Sequence, residues 1–166
     1  MTSTDPNEQY FGEYQEVFDA PQQKLLIDIG FKALKPRNHP LEAKIAQHEA
    51  NLLGYYAIEY EGYLNVFADD NELVGGLILQ RRWNAVYIYS FYIIESLRGI
   101  GLGKRLLTLA EHLALQMGGK ALVLETSTLH TYQFYLNNGF QILSEVSGYI
   151  DGENWLHMFK EINPEQ

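Results

Sequence analysis

The sequence contains no cysteine among its 166 residues, which excludes disulfides, thiolate metal sites and a cysteine nucleophile. No apolar run approaches the roughly 20 residues that a membrane-spanning helix needs. Met1–Asn7 is polar and acidic and lacks the basic and apolar regions of a signal peptide. The chain therefore reads as cytoplasmic. Basic charge is also scarce: 12 Lys and Arg stand against 21 Asp and Glu, for a formal charge of −9. That balance argues against a nucleic-acid binder, which would carry a basic footprint, and suits a cationic small molecule drawn by long-range attraction. His39, His48, His112, His130 and His157 have no metal-ligand spacing, so no metal is expected. Internal repeats and low-complexity segments are absent too.

What is present is enough for one core. Hydrophobic residues make up 46% of the chain and aromatics 13%, at a length that suits one ordinary domain. Residues 1–10 read as a polar tail and 11–166 as a single domain.

Periodicity predicts a short first strand at Tyr14–Phe18 and a helix from Gln22 to Leu34, stopped before Pro36. Pro40 opens a second helix, Leu41–Leu53, closed by Gly54. Tyr63–Ala68 and Leu73–Leu79 flank Asp69-Asp70-Asn71 and read as a hairpin. Ala85–Ile94, rich in β-branched and aromatic residues, follows as a central strand after the break at Trp83-Asn84.

Leu102, Leu106, Leu109, Ala110, Leu113, Ala114 and Met117 form one face of an amphipathic helix ended by Gly118-Gly119. Ala121–Leu124 reads as a strand covered on both faces. Thr128–Asn138 reads as a short helix capped by Ser127 or Thr128 and ended by Gly139. Phe140–Glu145 and Trp155–Glu161 supply the last strands. Helices first, then a meander, then alternating elements predict an α+β domain, three layers around a mixed sheet.

The segment Arg98-Gly99-Ile100-Gly101-Leu102-Gly103-Lys104 joins the central strand to the amphipathic helix. Glycines let successive N–H groups converge on one anion, and the helix behind adds unpaired donors and the positive end of its dipole. Arg98 and Lys104 add charge. A P-loop fails here, because Arg98 stands at its first glycine and Arg105 at its Ser/Thr position. A dinucleotide fingerprint fails at its third glycine, occupied by Lys104 or Leu106 depending on the start. A ligand-free turn is the remaining alternative.

Arg98–Gly103 resembles motif A of the GNAT superfamily, written Arg/Gln-x-x-Gly-x-Gly/Ala. Phe134-Tyr135-Leu136-Asn137-Asn138-Gly139-Phe140 is similar to the family's motif B ending, Phe-Tyr-x-x-x-Gly-Phe. Gly75-Gly76, Phe91-Tyr92-Ile93, Gly148–Gly152 and Met158-Phe159-Lys160 extend the likeness from about Leu73 to Ile162.

The resemblance implies a mostly antiparallel mixed sheet, flanked by helices, whose central strands splay to admit the pantetheine arm of acetyl-CoA. It implies that Arg98, Gly99, Ile100, Gly101, Leu102, Gly103 and Lys104 hold the pyrophosphate, and that main chain near Tyr92 and Ile93 bonds pantetheine. It further implies that Thr128 borders the lower pantetheine site and that Tyr135 helps the CoA thiolate leave. Thr128 and Thr131 depart from the Asn and Ala common at those positions, and Ile94 replaces an acidic residue.

Acetyl transfer to an amine needs the neutral amine, yet a lysine-like group of pKa about 10.4 is almost wholly charged at pH 7. Glu125 and Glu95 are the candidate bases. His130 and the aromatics Tyr55, Tyr56, Tyr60, Tyr63 and Trp83, with Glu59 and Glu61, are candidates for the amine site. The expected function is N-acetyl transfer from acetyl-CoA to the primary amine of a small cationic molecule. A regulatory acyl-CoA-binding module and a protein or peptide N-acetyltransferase are the alternatives. Dimers are common in the family.

Overall fold

The computed structural model describes residues 10–35, 39–129 and 131–163. Residues 1–9 of the expected tail at 1–10, with Pro36 and His130, lie outside the described residues, and Tyr10 belongs to the first strand instead. One sheet of eight strands carries the fold, in the order β1-β2-β3-β4-β5-β6-β8-β7.

The largest departure from expectation is at the start. The segment expected to be a helix from Gln22 to Leu34 is a strand, β2 (Lys24–Ala33), paired antiparallel with β1 (Tyr10–Asp19) and β3 (Tyr60–Phe67). Leu25, Ile27, Ile29 and Phe31 are buried on one face. That two-residue spacing is what a strand covered on one side requires. Leu26, which suggests a helical step in the sequence, lies on the other face. The expected helical pair is therefore one strand and one helix, α1 (Pro40–Leu53). In α1, His39 accepts the Leu41 N–H at 3.2 Å and Gly54 closes the end in the left-handed region.

The middle follows expectation with longer strands. β3, β4 (Leu73–Arg82) and β5 (Ala85–Ile93) form an antiparallel meander. Ile78 pairs with Ser90 but Leu79 with Ile88, so Tyr89 is an extra, bulged residue. A Cβ placed on Gly62 would lie 3.1 Å from Leu113 Cδ2 and 3.1 Å from Met117 Sδ. The helix α2 (Leu102–Gln116) therefore presses on the face that carries Leu64, Val66, Leu77 and Leu79, and seals the core with Leu102, Leu106, Leu109 and Leu113. Arg105 of α2 makes a bidentate pair with Glu16 of β1 at 2.6 and 2.5 Å, which fastens the first strand to that helix.

After α2 come β6 (Ala121–Ser127), α3 (Tyr132–Asn137), β7 (Gln141–Ile150) and β8 (Glu153–Glu161). β6 is not covered on both faces: Leu122, Leu124 and Thr126 are buried while Glu125 is exposed. α3 starts later than expected. Its N-cap is Thr131 without a side-chain bond, because the Thr128 hydroxyl is already taken by Glu153 at 2.5 Å and by the Asn154 N–H at 3.0 Å. The mixed, mostly antiparallel sheet with flanking helices matches the expected class. Among the described residues no helix is long and apolar enough to cross a membrane.

Candidate functional site

β5 and β6 are the one parallel pair in the sheet, and they stay together for three positions only: Ala85 with Ala121, Val86 with Leu122, Tyr87 with Val123. Beyond them β5 runs on to Ile93 bonded to β4 alone, and β6 runs on to Ser127 bonded to β8 alone. The sheet therefore opens into a wedge between its two central strands.

The backbone polarity of that wedge follows from one bond. Ile94 N–H donates to Val74 at 3.0 Å, so the Ile94–Val74 pair is hydrogen-bonded, as is Tyr92–Gly76 two residues earlier. The alternate residues, Ile93 and Phe91, turn their N–H and C=O groups toward the gap. The Arg98 Nε donates to the Ile93 carbonyl at 2.9 Å, leaving the Ile93 N–H and both main-chain groups of Phe91 for a ligand. Phe91 was not among the expected site residues. Tyr92 was, yet its main chain belongs to the ladder with β4 and its ring is exposed.

At the mouth of the wedge, a 3-10 turn at Glu95–Leu97 leads into the glycine loop. Gly99 and Gly101 have φ of 79° and 89°, and a Cβ on either would meet nothing within 4 Å. These two glycines serve conformation, with open space before them. Gly103 serves packing: its Cβ would lie 3.2 Å from Phe134 Cζ and 3.5 Å from Ile93 Cδ1. Its bare Cα lets the first turn of α2 close on both β5 and α3.

Arg105 N–H, bonded to the Gly101 carbonyl at 3.0 Å, is the first in α2 to find a helical acceptor. The N–H groups of Gly99, Ile100, Gly101, Leu102, Gly103 and Lys104 take no acceptor among the described residues. They form a donor array on the positive end of a helix. Arg98 and Lys104 have no acidic partner there among the described residues, whereas Glu16 neutralises Arg105. In a chain of net charge −9, this is a local concentration of unspent backbone donors and positive charge.

α3 bridges the diverging strands from the face that α2 covers. On the β5 side, Phe134 and Tyr135 lie 5.9 and 6.4 Å from Phe91, ring centre to ring centre. On the β6 side, the hydroxyls of Thr131 and Thr126 are 2.6 Å apart. Tyr135 is buried among Phe91, Phe134 and Phe140, and burial pushes its phenol up to about 12. Its hydroxyl has no hydrogen-bond partner among the described residues and is not sealed from solvent. Below pH 10 it is a neutral O–H with an unspent proton.

That shift has a measurable consequence for stability. With a folded value above the unfolded 10.0, burial costs nothing extra below pH 10, and stability falls as pH rises from there toward 12. By pH 12 the loss attributable to Tyr135 approaches about 2–3 kcal/mol. Urea unfolding across this window is expected to show the decline, and Tyr135→Phe is expected to reduce it. An equal slope in the variant would contradict the assignment. Tyr14, raised first by burial and then by Glu16, contributes in the same direction.

The two candidate bases sit in different places. Glu95 opens the 3-10 turn at the mouth, exposed. Glu125 lies two residues past the last β5–β6 pair, on the sheet face opposite α3. Its Oε2 accepts the Trp155 Nε1–H at 3.2 Å and its Oε1 lies 3.4 Å from His157 Nε2. Thr128 is near the open end of β6, but its hydroxyl braces β6 against β8.

The aromatic group proposed for the amine is dispersed. Tyr56, Glu59 and Trp83 line a cleft of about 610 Å³ under α1. Tyr60 packs on Phe31 and under Arg81, and Tyr55 is exposed. The cleft lies by the β4–β5 turn, at the far end of β5 from the glycine loop. Among the described residues no group of three or more His, Cys, Asp or Glu could hold a metal ion.

A family model described as the acetyltransferase (GNAT) family matches residues 31–140, which take in β3, β4, the wedge, the glycine loop and α3. The chain belongs to the GNAT family. The acetyltransferase Atu2258 of Agrobacterium fabrum (strain C58 / ATCC 33970) is 27% identical over 90 residues, and the match spans 53% of this chain and 66% of that protein. An acetyltransferase from Bacillus cereus ATCC 14579 has a similar fold, with a TM-score of 0.63 at 18% identity over 78% of this chain and 97% of that one. PaiA N-acetyltransferase from Thermoplasma acidophilum, solved in complex with coenzyme A, gives 0.52 at 21% identity over 72% and 70%. At these identities the structural likenesses speak for the GNAT fold.

Proposed function

We propose that this GNAT domain transfers an acetyl group from acetyl-CoA directly to the primary amine of a small cationic molecule. The observation that carries the reading is the wedge itself: a gap lined by unspent main-chain groups of β5, with an anion-binding glycine loop at its mouth and the free Tyr135 hydroxyl beside it. The donor array from Gly99 to Lys104, with Arg98 and Lys104, suits a pyrophosphate. The free Ile93 N–H and the Phe91 main chain suit the amide-rich pantetheine arm. That a family member, PaiA, has been solved with coenzyme A supports the same cosubstrate.

The chain's residues then divide the chemistry by sheet face. From the α3 face, Tyr135 gives its proton to the departing sulfur, so that the product leaves as a thiol. From the opposite face, the Glu125 carboxylate takes a proton from the incoming ammonium, which frees the nitrogen lone pair to attack the thioester carbonyl. The second nitrogen proton passes to solvent as the C–S bond breaks and the amide forms, and solvent returns a proton to Tyr135. Such a base contributes typically about 10²–10⁴-fold. The Ile93 N–H, aimed into the gap, is placed to meet the developing oxyanion. The acidic balance of the chain favours a cationic amine.

The test is thiol release from acetyl-CoA with a panel of polyamines, amino-sugars, amino acid derivatives and peptides with free N-termini. Amine-dependent release with a small cation at the head of the panel is expected. Binding of acetyl-CoA without turnover of any amine would overturn the enzyme reading in favour of a regulatory acyl-CoA-binding module. A preference for peptides would move the acceptor class to proteins.

A further inference from the structure

On the sheet face opposite α3, three strands contribute to one chain of polar contacts that the reading above does not use. The strand order there is β6, β8, β7. Glu125 of β6 pairs with His157 of β8, and His157 pairs with Ser144 of β7. Their side chains meet in line: Glu125 Oε1 is 3.4 Å from His157 Nε2, and His157 Nδ1 is 2.8 Å from Ser144 Oγ. Trp155, two residues from His157, donates to the other Glu125 oxygen at 3.2 Å. Its ring packs on Tyr149 at 5.4 Å, which limits its own movement.

We infer that His157 and Ser144 are positioning residues that, with Trp155, fix the Glu125 carboxylate on the β8 side of β6, at the edge of the wedge. The inference rests on Glu125 acting as the base. A glutamate side chain free at a strand edge samples many rotamers, and each must be given up when a substrate arrives. Here one carboxylate oxygen accepts the Trp155 N–H and the other lies within ion-pair distance of His157 Nε2, at 3.4 Å. The carboxylate is oriented before the amine enters, which is the arrangement that proximity catalysis rewards.

The contact with Ser144 also fits the ring's chemistry. For Nε2 to donate to Glu125 in a neutral ring, Nδ1 must accept, and Ser144 supplies the hydroxyl proton for it. Ser144 fits the Nε2–H tautomer by donating to Nδ1, and the acceptor-only Glu125 carboxylate is what favours it. Glu145 and Glu153, the other described acids on β7 and β8 nearby, are bonded to Asn154 and Thr128.

The test is a kinetic double-mutant cycle on the full chain, with Glu125→Gln, His157→Leu, the pair combined, and His157→Gln. His157→Leu is expected to lower kcat about tenfold, within the larger loss from Glu125→Gln, with the KM for acetyl-CoA unchanged. The combined variant should fall no further than Glu125→Gln alone, since residues acting as one unit are not additive. His157→Gln, which keeps an N–H donor, should recover most of the loss.

A second readout needs no turnover. Ring-nitrogen NMR of the free protein is expected to find His157 as the Nε2–H tautomer, with the balance moving toward Nδ1–H in Glu125→Leu, which removes the acceptor. Wild-type kcat in His157→Leu, additive losses, or a tautomer indifferent to Glu125→Leu would each overturn the positioning role. Full activity in Glu125→Gln would instead bring down the base reading and this inference with it.

Discussion

Tyr135→Phe is expected to lower kcat by about 10²-fold or more while the KM for acetyl-CoA and the melting temperature stay near wild type. The expectation follows from what the hydroxyl touches. The ring packs at 5.3 Å from Phe134 and 5.6 Å from Phe140, and a phenylalanine keeps those contacts. The hydroxyl itself bonds nothing among the described residues, so its loss leaves no buried partner unsatisfied. What disappears is one proton donor, held neutral by burial at every pH where the enzyme would work. An acyl donor with a more acidic thiol needs less help in leaving, so the deficit should shrink with an aryl thioester. Undiminished kcat in the variant, or an equal deficit with both donors, would remove Tyr135 from the chemistry and return it to the core.

Gly101→Ala is expected to weaken acetyl-CoA binding tenfold or more. Gly101 holds φ at 89°, a region in which a side chain costs roughly 1–2 kcal/mol, and relief of that strain would swing the N–H groups away from their common focus. The added methyl group meets no protein atom within 4 Å, so the clash that matters is with the ligand and the fold should survive. Gly103→Ala differs in kind. Its methyl group would press on Phe134 and Ile93 and loosen the contact between α2 and α3. That variant should lose stability along with affinity, whereas Gly101→Ala should lose mainly affinity.

The parts of the fold legible in sequence were those whose pattern is local. The apolar stripe of α2, the turn at Asp69–Asn71 and the glycine loop each carry their signal within a few residues. β2 was misread because Leu25-Leu26 and Ile27 offer both a two-residue and a mixed helical spacing, and only pairing to β1 and β3 selects the former. The late start of α3 has the same origin: Thr128 has the chemistry of a helix cap, but β8, some 25 residues on, claims its hydroxyl first.

The candidate site divides along the same line. Arg98–Gly103 and Tyr135 stand out by motif. The free main chain of Phe91 and the free Ile93 N–H do not, because they depend on which residues of β5 bond to β4. The bonds of Glu125 to Trp155 and Ser144 to His157, 30 and 13 residues apart, come from strand order alone. No spacing along the chain announces them.

The most direct test of the central claim is a calorimetric titration of acetyl-CoA into the wild-type chain and Gly101→Ala at one fixed salt concentration, since a pyrophosphate site of this kind is screened by ions. The account predicts saturable binding at one site per chain in the wild type, and a loss of at least tenfold in a variant that still folds cooperatively. A folded wild type that binds no acetyl-CoA, or a variant that binds it equally well, would contradict it.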